Sequence, residues 1–270
     1  MSDVSTAPRF AFGANWRDFL AVVDDARIAQ AAADLARLVP GDAISGRTFL
    51  DIGSGSGLHA LAALRLGAAR VRAIDFDPDS VAATAALLEQ HAARGPWVAE
   101  RGNALELSDA DGTFDVVYSW GVLHHTGEMW RAIDRAADRV APGGVLAIAL
   151  YRRTPLCWAW GIEKRVYTRS PRVLQGLARG VFKAAYALGL LATGRSPWRY
   201  AREYRSRRGM SWHHDVHDWL GGTPYESADP TAVAAHLAGR GFTREAVFND
   251  RPRLGVFGTG CAEYRFQRTA

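Results

Sequence analysis

Between Thr48 and Tyr151, short apolar runs alternate with segments of helical periodicity, and this alternation narrows the fold more than any other feature of the chain. Thr48–Ile52, Val71–Ile74, Trp97–Arg101, Phe114–Ser119 and Val145–Tyr151 read as strands. Leu58–Leu66, Pro78–His91 and Met129–Val140 read as helices between them, with Gly67 as a stop and Ala141–Gly144 as a turn. Strands that are nearly continuous apolar runs are covered on both faces, and strands separated by helices run parallel. The expected class is therefore α/β with a doubly wound sheet. Ahead of it, residues 16–38 have helical spacing and are ended by Pro40-Gly41. After it, Asp229 is placed to cap a helix from Pro230 to Arg240, and Phe242–Phe248 and Cys261–Gln267 read as two more strands.

Residues 152–228 break the pattern with Trp158, Trp160, Trp198, Trp212 and Trp219. Residues 151–210 hold 14 Lys/Arg against Glu163 and Glu203, a net +12 in a chain whose total is only +5. Such a block points to an anionic partner or to a solvated arginine-rich face. Val173–Leu191 is apolar with arginine on both sides, which suits an interfacial helix, a lid or a dimer contact. The longest apolar candidate, Val181–Ala192, is broken by Lys183 and too short to span a bilayer. MSDVSTAPRF has no basic leader followed by an apolar run, and Cys157 and Cys261 fit no zinc or redox spacing; a cytoplasmic location is expected.

The turn after the first strand is Asp51-Ile52-Gly53-Ser54-Gly55-Ser56-Gly57. Glycines there let a ligand approach the backbone at the carboxyl end of a strand, where open α/β sheets bind ligands. The spacing is G-x-G-x-G rather than the dinucleotide G-x-G-x-x-G. Asp51 would repel a pyrophosphate but attract an ammonium. Asp75, at the end of the second strand, offers two acceptor oxygens suited to ribose hydroxyls. Phe76 can cover an adenine face, and Asn103 can bond its edge.

FLDIGSGSG, AIDFDP, GNA, FDVVYSWGVLHHTG and VAPGGVLAIALY, across residues 49–151, resemble the successive motifs of class I S-adenosylmethionine-dependent methyltransferases. One bacterial subgroup also shares segments like Phe12–Trp16, Arg208–Ser211, Asp218–Glu226 and Gly260–Tyr264, and some of its members occur near sugar and surface-polysaccharide enzymes. Where those relatives continue the fifth strand with Tyr-Asn-Asp-Gln-Gly, this chain has Tyr151-Arg-Arg-Thr-Pro155, so their acceptor does not transfer. The resemblance implies a Rossmann-like, mostly parallel sheet with an antiparallel last strand. It divides the chain into an N-terminal helical cap (1–47), a cofactor-binding core (48–151 and 229–270) and a helical, basic, Trp-rich insertion on the substrate side (152–228). It also implies that Gly53, Ser54, Gly55 and Gly57 face the cofactor, and that Asp51 holds its amino group directly or through water. Asp75 would hold the ribose, and Phe76, Asn103 and Ala104 the adenine. Ser119 and Trp120 would lie beside the sulfonium, and Trp16 would close over the site.

Methyl transfer to a hydroxyl needs a base, and histidine suits that role. His124 and His125 follow the fourth strand and are expected either at the acceptor or orienting their loop. In the second cluster, on a helix, His214 and Asp218 share one face, as do His213 and His217. Base, acceptor binding, a divalent metal and simple docking all fit that spacing, and no metal site is assigned. Tyr151 and Tyr225 are candidates for the acceptor pocket. The leading expectation is O-methylation of a small polar or anionic acceptor, sugar-containing or another specialised metabolite, by a monomer or homodimer. Transfer or cyclisation of the cofactor's aminocarboxypropyl group is an alternative. A nucleic-acid methyltransferase is another, prompted by a pI near 9.5. No nucleic-acid partner is expected: Ser119-Trp120-Gly121-Val122 stands where base-modifying enzymes carry Asn-Pro-Pro-aromatic.

Overall fold

The strand order reverses beside β1 (Thr48–Ile52), which lies between β2 (Arg70–Asp75) and β4 (Phe114–Trp120), and this reversal positions the site. The computed structural model describes residues 23–92, 95–208, 212–251 and 254–270; the side chains at 205–208, 213 and 214 lie outside that description. Trp16 and the Phe12–Trp16 segment fall outside the described residues, as do Gly209, Met210 and Ser211. Among the described residues, seven strands form one sheet in the order β3-β2-β1-β4-β5-β7-β6. The remaining strands are β3 (Trp97–Arg101), β5 (Val140–Tyr151), β6 (Phe242–Phe248) and β7 (Cys261–Arg268). β3, β2, β1, β4 and β5 pair in parallel, and β7 runs antiparallel to both neighbours.

Two cores form because strand side chains alternate between faces. Leu50, Ile52, Val117, Leu146 and Ile148 pack on one face, and Phe49, Val71, Val116 and Ala147 on the other. Asp51 therefore projects on the Phe49 face, at the end of its strand. That face is covered by α1 (Asp25–Leu38), α3 (Leu58–Arg65) and α4 (Pro78–His91). The opposite face is covered by α5 (Met129–Asp138) and by a late helix, Pro230–Ala238, capped by Asp229 as expected.

Two local expectations are corrected. Pro40-Gly41 ends α1 but also starts a short helix, α2 (Gly41–Ile44), because Pro40 holds the backbone at φ −52°. Helix α5 stops at Asp138, and Ala141–Gly144 lies within β5. Val140 is fully buried and pairs with Phe114, and an irregularity between Phe114 and Val116 takes up the slack.

The chain leaves the sheet after Tyr151 and returns at Ala228, whose N–H donates to the Tyr151 carbonyl at 2.9 Å. Between them lie α6 (Cys157–Arg169), α7 (Arg172–Ala192), α8 (Pro197–Arg208) and α9 (Trp212–Gly221). Aromatic side chains join these helices. The Trp160 ring lies 4.4 Å from Trp219, and Phe182 stacks on Trp219 at 5.4 Å. The late helix Pro230–Ala238 is α10.

Gly57 sets the junction of β1 and α3. Its φ is +80°, and an added Cβ would lie 2.8 Å from Thr84 Cα in α4. Gly57→Ala should therefore cost about 2–4 kcal/mol, from left-handed strain plus displacement of backbone. Urea denaturation measures it, and a loss below about 0.5 kcal/mol would contradict this placement.

Candidate active site

A cleft of about 1080 Å3 opens over the carboxyl ends of the central strands, at the switch point of the sheet. Single-ligand pockets are typically about 300–1000 Å3, so this one has room for a cofactor and an acceptor together. Gly53, Ser54, Gly55, Asp75, Phe76, Asn103 and Ala104 line one end, with α1 alongside. Trp120, His124, His125, Tyr151, Asp215 and Asp218 line the other.

Gly53 allows close approach: its φ is +79°, and a Cβ there would sit 2.3 Å from a Val122 methyl. Asp75 accepts backbone N–H groups from Gly55 and Asp77, both at 2.9 Å, and a further one from Phe76. Its two oxygens carry four lone pairs, so acceptor capacity remains for a ribose hydroxyl. Phe76 is exposed at the cleft, with the Arg101 guanidinium 5.4 Å from its ring. The Asn103 side chain is engaged locally: its carbonyl accepts from Leu105 N and its amide donates to Glu106.

Asp51 is 2% exposed and does not itself line the cleft, although its chain neighbours Ile52 and Gly53 do. Its Oδ2 is buried without a hydrogen-bond partner. Burial, then the nearby Asp75 carboxylate, push its pKa up to about 7, against a backbone N–H from Ala60 at the start of α3. An unpaired buried carboxylate is costly, and a ligand cation reached directly or through water removes that cost. The residues present thus fit the charged amino group of a methionine moiety and the ribose of a nucleoside.

Ser119 and Gly57 do not line the cleft. Ser119 is fully buried and its hydroxyl donates to the Ile52 carbonyl at 2.8 Å. Trp120 does line it, and its Nε1 donates to Glu263 at 3.1 Å. Glu263 in turn binds Arg37 of α1 at 2.5 Å, fastening the N-terminal helix to the sheet. Sequence reasoning missed this tie, because its partners are 226 residues apart. It also missed His59, although the second residue of a helix that follows a glycine turn must lie near the cleft. Burial pushes His59 down to about 4, against the opposing pull of Asp34 and Glu263.

The two histidines after β4 are held in opposite tautomers. Tyr151 N–H donates to His124 Nδ1 at 3.2 Å, so the neutral His124 ring carries its proton on Nε2. That Nε2 is buried with no partner. His125 Nδ1 lies 2.7 Å from the Pro224 carbonyl, which can only accept, so His125 carries its proton on Nδ1 and its lone pair on Nε2. Burial holds both rings neutral: His124 is pushed well below its ordinary range, and His125 down to about 4. Lys164, another residue that sequence reasoning missed, adds to both shifts. It is fully buried, with Nζ 4.4 Å from the Trp219 ring and 5.4 Å from Tyr225, and it donates to the Trp219 carbonyl.

The second histidine cluster is divided by its helix. Asp218 and Asp215 line the cleft, whereas His217 does not: its Nδ1 meets Tyr167 Oη at 2.6 Å and Arg179 at 3.1 Å. His213 and His214 have side chains outside the described residues. Tyr225 is not on the cleft wall; it donates to Cys157 Sγ at 3.3 Å and packs its ring 5.5 Å from Tyr151. Among the described residues no group of His, Cys, Asp and Glu forms a metal site.

Residues 49–144 match the methyltransferase domain family. The chain is 30% identical over 196 residues to a ubiquinone biosynthesis O-methyltransferase of Azorhizobium caulinodans, covering 67% of this chain and 73% of that protein. It is 39% identical over 102 residues to a ribosomal protein L11 methyltransferase of Geotalea uraniireducens, where it spans only 30% of the relative. Among solved structures it is similar to a magnesium protoporphyrin IX methyltransferase from Synechocystis with bound S-adenosylhomocysteine. That match has a TM-score of 0.56 at 16% identity and covers 95% of this chain and 94% of the other. An N-methyltransferase from Bradyrhizobium japonicum, in complex with S-adenosylhomocysteine, superposes with a TM-score of 0.53 at 16% identity, over 97% of this chain and all of that one. The chain belongs to the class I S-adenosylmethionine-dependent methyltransferases, and S-adenosylmethionine is its cofactor.

Asp51→Asn should weaken S-adenosylhomocysteine binding about 10- to 100-fold, the worth of a charge-assisted hydrogen bond. With Asp51 at about 7, the wild-type protein must lose a proton to bind the ammonium below that pH. Its dissociation constant should then rise up to about tenfold per unit as pH falls below 7, and the slope should vanish in Asp51→Asn. Titration calorimetry across pH tests both; a pH-independent wild-type affinity would overturn the assignment.

Proposed function

We propose that this methyltransferase acts on a hydroxyl of a small polar acceptor, with His125 as the general base. The observation that carries this reading is the His125 Nδ1 contact with the Pro224 carbonyl, which leaves the lone pair on Nε2. The curated relative from Azorhizobium caulinodans, named as an O-methyltransferase, supports an oxygen acceptor.

S-adenosylmethionine supplies a methyl group already activated by its sulfonium charge. What remains for the chain is to hold, align and deprotonate. Asp51 and Asp75 would hold the amino and ribose ends, with Gly53, Ser54 and Gly55 against the backbone side. Phe76, Asn103 and Ala104 would border the adenine, and Trp120 the reacting end. Ser119 and Gly57 would support the wall from behind, and Trp16 remains a candidate closing residue. His125 would take the acceptor's proton at Nε2. A base held near 4 suffices here, because a hydroxyl becomes strongly acidic as its oxygen gains the methyl group. His124 would donate from Nε2–H to a second acceptor group, choosing which hydroxyl faces the methyl. Tyr151 would form the floor, and Asp218, with His214 on the same helix, would bind acceptor hydroxyls. His213, His217 and Tyr225 would act by shaping residues 152–228 as the substrate-side wall.

The charge of that wall favours the polar over the anionic form of the acceptor. Asp215 and Asp218 line it, whereas Arg152 is the sole Lys or Arg of 151–210 on it among the described residues. The Arg152 guanidinium already donates to the carbonyls of Asn249 and Arg251.

His125→Ala should lower kcat about 10²- to 10⁴-fold and leave S-adenosylhomocysteine affinity within about twofold. Because His125 protonates only near 4, the wild-type kcat should stay level from neutral pH down to about 5. An acid limb centred near 6.5, or a kcat in His125→Ala within about threefold of wild type, would sink the base assignment.

A further inference from the structure

Among the described side chains, Arg152 alone of the basic residues in 151–210 lines the cleft, and the outer face of α7 gives the basic excess another use. Every exposed position from 173 to 192 is apolar or Gly. Val173, Leu174, Leu177, Val181, Leu188 and Leu191 are between 53% and 81% exposed. At 3.6 residues per turn they fall within about 100° of the helix circumference. Beyond Arg172 in its first turn, the cations of α7 face inward instead: Arg179 donates to Tyr167 Oη at 3.0 Å, and Lys183 lies 5.8 Å from the Trp212 ring. A helix that uses its cations for packing and shows water an uninterrupted apolar stripe inverts the usual amphipathic arrangement.

The stripe has apolar and cationic surroundings. On α6, Trp158, Ile162 and Val166 are 53–70% exposed at successive i,i+4 positions. Exposed arginines flank these surfaces: Arg165 and Arg169 on α6, Arg172 at the start of α7, and Arg195 just beyond its end. The two acids of residues 151–210 do not offset them. Glu163 is held up by burial beside Lys164, and Glu203 is bonded to Arg199.

We propose that the outer faces of α6 and α7 dock on an anionic phospholipid surface, with the apolar stripe at the acyl boundary and the arginines among the phosphates. Charge complementarity decides between occupants. A second copy would bring an equally basic face against this one, and like charges repel. An anionic bilayer matches both the stripe and its rim. None of the described helices is long and apolar enough to cross a membrane, so the contact is peripheral. Inside, Phe182 of α7 stacks on Trp219, which lines the cleft, so the docked face lies one helix layer from the acceptor wall.

Flotation of the full chain with vesicles tests this. Phosphatidylglycerol-containing vesicles should capture the protein, and pure phosphatidylcholine vesicles should capture it at least about tenfold less. The double variant Val181→Glu/Leu188→Glu should lose at least about tenfold in vesicle affinity while keeping its helicity and its affinity for S-adenosylhomocysteine. Arg172→Glu/Arg195→Glu should lose the preference for anionic lipid. The proposal is overturned if wild type does not float with anionic vesicles, or if the double variant floats equally well. It is also overturned if wild type is a dimer by light scattering that Val181→Glu/Leu188→Glu converts to monomer without any vesicle binding, since the stripe is then a self-contact.

Discussion

A carboxylate buried at the end of a central strand, with one oxygen unpartnered, is the constraint on which the rest of this structure turns. Asp51 follows Leu50 and precedes Ile52, both of which must pack in the core, so strand alternation forces its side chain onto the opposite face. There it meets the start of α3 and faces Asp75 across the turn. Two carboxylates drawn together in a poorly hydrated place oppose folding of the empty protein. The arrangement fits the role proposed for Asp51, one half of an ion pair whose other half would arrive with the cofactor. The glycine turn complements it, since ligand atoms could approach closely a backbone that carries no Cβ.

The acceptor end follows a different logic. Its two histidines carry no charge: His124 and His125 are both kept neutral by burial, and Lys164 adds to both shifts. What differs between them is which nitrogen the backbone claims. Tyr151 N–H takes the Nδ1 lone pair of one ring, and the Pro224 carbonyl takes the Nδ1 proton of the other. Two identical side chains at adjacent positions thereby present a donor and an acceptor. Both backbone groups lie at the boundaries of residues 152–228, so the ends of that helical segment also set the histidine chemistry.

The strand pattern of residues 48–151 was legible because apolar runs bounded by glycine and proline admit few alternatives; β1, β3 and α4 fall at the expected residues. Local periodicity places Val140 in a helix because its pairing with Phe114 is a tertiary fact that periodicity does not carry. Asp51 and Asp75 were readable from their place in the turn, whereas the burial that leaves Asp51 Oδ2 without a partner was not. The histidine pair is plain in the sequence, but its tautomers depend on Tyr151 and on Pro224, 99 residues from His125. His217 shows the opposite failure: helical spacing put it beside possible acceptor ligands, but the packing of α6 and α7 claimed it. The basic block is visible in the sequence as a number, and only the helix orientations show that, among the described side chains, most of it lies away from the cleft.

The central claim is that Asp51 is poised for a cationic ligand, and its ionisation can be watched directly. Carbon-13 NMR of the Asp51 carboxyl, assigned by comparison with Asp51→Asn, measures its titration with and without S-adenosylhomocysteine. The expected midpoint is about 7 in the free protein, falling by at least about one unit when the ligand's ammonium binds. A free-protein midpoint near 4, unmoved by ligand, would contradict it.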